Sequence, residues 1–163
     1  GLKEIIKGSP LYLDGMIKDV FAAEFVEENG QIKYLGRAVG HMKKTEFLHM
    51  ANKGSNINPK IDVNRRIPQN ERRIPFEQMI HVGDGFTDVP CFALVMKRGG
   101  YTLGVYDPET ETARQQAQEL LNDRRVASVH PADYRPGSSF SQAFEAALKS
   151  ISEKIIYKND SRI

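Results

Sequence analysis

Two carboxylates stand four residues apart near the middle of the chain, in His81-Val82-Gly83-Asp84-Gly85-Phe86-Thr87-Asp88. The run Met79-Ile80-His81-Val82 is short and apolar, which predicts a buried strand. A helix is predicted to begin near Asp88, with Pro90 in its first turn, where a missing N–H costs nothing. Asp84 therefore falls at the carboxyl end of a strand, the edge at which open parallel sheets bind their ligands. Gly83 and Gly85 would let the backbone turn sharply and come close to a ligand. Two acids in this setting suit a hard, oxygen-seeking cation such as magnesium, which would neutralise a phosphate that the carboxylates repel. The two acids have different rival roles. Asp88 stands just before a helix and is as readily its N-cap as a direct contact to the metal, or it is both a cap and a supporting partner of the metal site. Asp84 has no such structural task, so the functional reading is favoured there.

The elements that would carry this loop follow from periodicity. Leu2, Ile5 and Ile6 share a helical face that Gly8-Ser9-Pro10 ends, and Leu13, Met16, Ile17 and Val20 predict a second helix. The period then changes. Alternation at Phe21, Ala23 and Phe25, the turn dipeptide Asn29-Gly30, and alternation at Ile32 and Tyr34 predict a β-hairpin over 21–35. Phe47, Leu48 and Ala51 predict a short helix closed by Gly54. Residues 55–73 keep no period and are rich in Asn, Pro and Arg, which reads as an inserted surface loop. Its arginines Arg65, Arg66, Arg72 and Arg73 are read first as a solvated basic face, and second as a grip for an anion.

After the central strand, Val89, Phe92, Ala93 and Met96 are expected to form the buried face of a helix closed by Lys97, Arg98 and Gly99. A strand over 101–106 follows, then a helix marked by Ala113, Ala117, Leu120 and Leu121, and a strand over 126–129. The last helix carries Phe140, Phe144, Leu148, Ile151 and Ile155, with Ser139 and Gln142 spaced as a capping box, and residues 158–163 form a polar tail expected to fray. Strand and helix alternate throughout this half, which predicts an α/β fold with a parallel sheet.

Bulk composition narrows the setting. The chain has 163 residues, 40% hydrophobic and 27% charged, enough to bury a core and typical of a globular domain. Its 23 basic and 21 acidic residues leave a formal charge of +2, which offers no argument for a nucleic-acid or membrane-surface partner. Cys91 is the only cysteine, so no intrachain disulfide forms, and no apolar run approaches the ~20 residues of a membrane helix. The cytoplasm is the default location. His49, His81 and His130 are scattered singly and read as structural or exposed, not as ligands.

Residues 82–90, Val-Gly-Asp-Gly-Phe-Thr-Asp-Val-Pro, resemble the fourth signature motif of the haloacid dehalogenase superfamily in its Gly-Asp-x-x-x-Asp form, most closely that of the phosphoserine-phosphatase-like branch. Lys43-Lys44-Thr45-Glu46-Phe47-Leu48 is similar to the third motif, a lysine at a helix start. Residues 99–106 and 131–134 match the order of the final strands, and Gly1-Leu2-Lys3-Glu4-Ile5-Ile6 resembles the stretch after the second motif's hydroxyl residue. The resemblance spans residues 1–157 and implies a three-layer, parallel-sheet Rossmann-type core, incomplete in this chain.

It implies Asp84 as a magnesium ligand, with Asp88 supporting the metal site by hydrogen bonding. Lys44 would balance the charge of the nucleophile and the transferring phosphoryl group, and Gly1 would offer a backbone N–H to phosphate. The implied activity is Mg2+-dependent hydrolysis of a small phosphorylated metabolite through an aspartyl-phosphate. The first motif, Asp-x-Asp, which supplies nucleophile and general acid, has no counterpart here, so these residues alone are expected to be inactive. The missing strands are expected from an N-terminal segment of the same protein or a strand-exchanged copy. The rival expectation is a non-catalytic binding or assembly domain of the same fold, in which Asp84 is a remnant.

Overall fold

A computed structural model describes residues 1–160 of the chain, which divides into two compact units, Gly1–Arg65 and Arg66–Ile163. The first unit holds helices α1 (Leu2–Lys7) and α2 (Pro10–Leu13), strands β1 (Glu24–Glu28) and β2 (Gln31–Arg37), and helix α3 (His41–Lys53). β1 and β2 pair antiparallel in a sheet of their own. Asn29 and Gly30 take φ of 54° and 75°, the two positive values that a tight hairpin turn requires, so the expected hairpin forms. Its strands begin later than the alternation predicts, because Phe21 leaves the ladder and stacks on Phe47 of α3, ring centroids 4.5 Å apart.

The predicted second helix is cut short. α2 ends at Leu13, and Gly15 at φ 72° turns the chain left-handed before Met16, Ile17 and Val20 can join it. α3 closes as expected, with Gly54 at φ 82° and its N–H on Met50 O. It begins earlier than its apolar residues indicate, at His41.

The second unit is α/β, with a three-stranded parallel sheet flanked by helices. Strands β3 (Ile80–Gly83), β4 (Tyr101–Tyr106) and β5 (Ser128–Pro131) lie in that order, joined by α4 (Val89–Lys97) and α5 (Glu111–Asn122) and followed by α6 (Ser139–Asp160). Alternation along the strands sorts the core into two layers. Leu103 and Val105, with Ile80 and Val82, pack under Phe140, Ala143 and Phe144 of α6. On the other face Phe92, Leu120 and Val126 cluster with Val89, Leu121 and Val129 between α4, α5 and the sheet. The buried face of α4 is Cys91, Phe92 and Val95, while Ala93 and Met96 are exposed, so the apolar pattern of this helix misplaces its inner face.

Two helix ends also depart from expectation. The cap of α6 is Ser138, whose Oγ accepts the Ser141 N–H at 3.1 Å, one residue before the predicted box. At the other end α6 runs on to Asp160, its last turns tied by the Lys158–Glu77 ion pair, so residues 158–160 are helical. Residues 161–163 of the predicted tail lie outside the described residues. Among the described residues no helix is long and apolar enough to cross a membrane.

Candidate functional site

β3 runs out at Gly83, and a 3-10 turn over Phe86–Asp88 carries the chain into α4. Asp84 is thereby set at the carboxyl tip of the strand, with its side chain exposed, while Asp88 is 3% exposed. Asp88 stands at the N-cap position of α4 but makes no capping hydrogen bond to its own helix. Its Oδ2 instead accepts the backbone N–H of Asp84 at 3.3 Å, and its Oδ1 lies 3.2 Å from His81 Nε2. A buried carboxylate is costly unless its oxygens are paired, and these two partners satisfy one oxygen each.

His81, expected to be structural or exposed, has a structural place beside Asp88. It sits on the α4 face of β3, edge-on to Phe92 with centroids 5.2 Å apart, and its side chain is 15% exposed. Strand alternation is the signal that points to it. Ile80 and Val82 face α6, so His81 between them must face the helix that follows, near its first turn. The ring therefore braces the carboxylate that in turn braces Asp84.

The two glycines differ. A Cβ on Gly83 would lie 2.5 Å from Asp88 Cγ and 2.7 Å from Oδ2, so the side chain of Asp88 occupies the space that only glycine leaves open. Gly85 has an extended backbone at φ −176° and open space around its Cα, and nothing there requires glycine. The close approach expected of both glycines is made at Gly83, and to Asp88.

The loop thus holds one exposed carboxylate, Asp84, on a backbone that a buried one keeps in place. Magnesium takes one or two carboxylates and completes its octahedron with water and phosphate oxygens, so Asp84 fits the part of a single protein ligand. Asp88, with its oxygens on His81 and on the Asp84 amide, fits the supporting part. Among the described residues no group of three or more His, Cys, Asp or Glu side chains converges.

The other expected site residues belong to the first unit. Lys44 lies in the first turn of α3, half-buried, with its N–H on Gly40 O at 3.2 Å. Lys43 is more exposed, and its Nζ reaches Glu46 Oε2 at 2.6 Å, an i,i+3 ion pair that engages its charge. Gly1 is the N-cap of α1, its carbonyl accepting the N–H groups of Glu4 and Ile5.

No protein-family model matches the chain, and no solved structure matches it. A curated protein of Borreliella burgdorferi, described only as an uncharacterized protein, is 28% identical to it over 156 residues. That alignment takes in 85% of this chain and 51% of the relative, so the chain spans about half the length of the protein it matches.

Proposed function

We propose that this chain is part of a haloacid-dehalogenase-like phosphohydrolase and contributes the acidic loop and the helix-start lysine of a magnesium-dependent phosphomonoesterase. The observation that carries this reading is the Asp84–Asp88 arrangement: an exposed carboxylate at the tip of a parallel strand, its backbone held by a buried one. A buried acid that holds the backbone of an exposed carboxylate at a strand tip also aims that carboxylate, which suits a site that must present one negative charge before a cation arrives.

In this reading Asp84 binds magnesium, and Asp88, braced by His81, fixes its position. The bound cation would supply positive charge to offset the oxygens of a phosphate ester. Lys44 is the second source of positive charge, a compact ammonium suited to a transferring phosphoryl group. Gly1 would offer a backbone N–H to the same phosphate. The nucleophilic aspartate and the acid that protonates the leaving group come from outside these 163 residues, which alone should be inactive. The substrate is a small phosphorylated metabolite.

The test is phosphate release by the full natural polypeptide from a panel of phosphomonoesters, with and without magnesium. Asp84→Asn should lower activity and weaken the dependence on magnesium together, with the thermal midpoint unchanged because the side chain is exposed. Activity and metal requirement equal to the parent's would remove Asp84 from the site and leave a non-catalytic binding domain as the better reading.

A further inference from the structure

At the end of the sheet away from Asp84, the segment leading into β3 and the last turns of α6 line an open cavity of about 650 Å3. This volume is within the ~300–1,000 Å3 of small-molecule sites. β3 separates it from Asp84 by four residues, roughly 13 Å at 3.3 Å per residue, too far for one phosphate group to reach both.

The walls carry an excess of positive charge. Arg72, Arg73 and Lys158 line the cavity, and Arg98 lines a crevice that shares Arg72 with it. Against them stands Glu77, which is engaged by Lys158. Arg72 is held for use. Its Nε donates to Ile67 O at 3.3 Å, which fixes the guanidinium plane and leaves the two terminal nitrogens for a pair of ligand oxygens. The backbone on either side is stiffened by Pro68 and Pro75, at φ −53° and −56°. Ile155 and Tyr157 supply an apolar wall with one ring.

We propose that this cavity binds a phosphate-bearing small molecule with a flat ring, of nucleotide size, its phosphate on Arg72 and Arg73 and its ring against Tyr157 and Ile155. Two arginines lining one cavity match a dianion with three acceptor oxygens better than a single carboxylate. The arginines of 55–73, read from sequence first as a solvated face, divide on this view: Arg72 and Arg73 line a site, and Arg65 and Arg66 do not line this cavity. A strand of nucleic acid is the weaker candidate, because the cavity is local and the chain's formal charge is only +2.

The experiment is titration calorimetry on the full natural polypeptide without magnesium, with AMP, ATP, adenosine, inorganic phosphate and a short single-stranded oligonucleotide as probes. AMP or ATP should bind saturably and more tightly than either adenosine or inorganic phosphate. Arg73→Gln should weaken that binding by about tenfold or more, the loss of a charge-assisted contact. Its side chain is exposed, so the fold should survive, which circular dichroism verifies. Asp84→Asn should bind as the parent does, which keeps this site separate from the phosphohydrolase reading. Nucleotides that bind no better than inorganic phosphate would overturn the proposal. So would an Arg73→Gln protein that binds like the parent, or capture of the oligonucleotide with no binding of AMP or ATP.

Discussion

Asp88 Oδ2 accepts the backbone N–H of Asp84 at 3.3 Å, while Oδ1 of the same carboxylate lies 3.2 Å from His81 Nε2. One buried side chain therefore ties the strand to the loop that follows it. Asp88→Ala removes both contacts and leaves two polar groups without their partner, at a cost of about 1–3 kcal/mol. Asp88→Asn keeps an amide oxygen that can accept from the Asp84 N–H, and should cost less. Denaturant unfolding of the two variants orders them. Equal stability of Asp88→Ala and the parent would show that the carboxylate does not hold the loop.

Gly83 and Gly85 look alike in the sequence, and the structure separates them. Gly83→Ala places a Cβ 2.5 Å from Asp88 Cγ, so the buried side chain must move, and overpacking of this kind costs about 1–3 kcal/mol. Gly85→Ala adds a methyl group to open space on extended backbone and should stay within about 0.5 kcal/mol of the parent. Urea midpoints measured side by side check the pair. Equal losses would mean that the tight approach at Gly83 is not what the glycine serves.

Lys44 should matter for turnover and Lys43 should not. The Lys43 ammonium is engaged by Glu46 at 2.6 Å, and in the proposed function the phosphoryl group falls to Lys44. In the proposed site, loss of one positive charge beside a transferring phosphoryl group costs a few kcal/mol, roughly 10²–10³ in kcat. Steady-state kinetics of Lys43→Ala and Lys44→Ala in the full polypeptide decide between them. A larger loss at Lys43, or equal losses, would remove the distinction.

What the sequence disclosed and what it hid follow from the range of the interactions. The hairpin was legible because Asn29-Gly30 specifies its turn within two residues. β4 was legible because its apolar run is bounded by Gly99-Gly100 and Asp107-Pro108. The second helix failed at one residue, Gly15, whose left-handed φ outweighs the helical spacing around it. The inner face of α4 was misplaced because the helix packs through Val95 and not through Ala93 and Met96. The position of Asp84 at a strand tip was legible for the same reason as β3 itself. The partnership of His81 with Asp88 was not, because it closes seven residues of strand and turn through space. The Arg72 and Arg73 cavity was hidden altogether, since α6 supplies its other wall from more than eighty residues away.

The last prediction concerns the open side of β3. Tyr101 N–H donates to Met79 O at 2.9 Å, and β3 pairs with β4 from Ile80 opposite Tyr101 to Gly83 opposite Gly104. In a parallel ladder alternate peptides turn to alternate sides, so the N–H and C=O groups of His81 face β4 and those of Ile80 and Val82 face away. No second strand pairs with β3 among the described residues. Ile80 and Val82, partly buried, pack against the core cluster under α6, so this edge strand lies beside the core. A backbone group kept from water without a partner costs about 1–3 kcal/mol, and four of them, were this edge covered, would take up much of a domain's roughly 5–15 kcal/mol. We therefore expect a strand from outside these 163 residues to pair there, supplied by the same polypeptide or by a second copy. In the full polypeptide the Ile80 and Val82 amides should exchange with deuterium as slowly as those of His81 and Gly83. In the 163-residue chain they should exchange faster by orders of magnitude, or the chain should associate. Fast exchange at Ile80 and Val82 in the full polypeptide would show that this edge is left to water. A monomeric 163-residue chain with a cooperative thermal transition would show that the sheet needs no further strand.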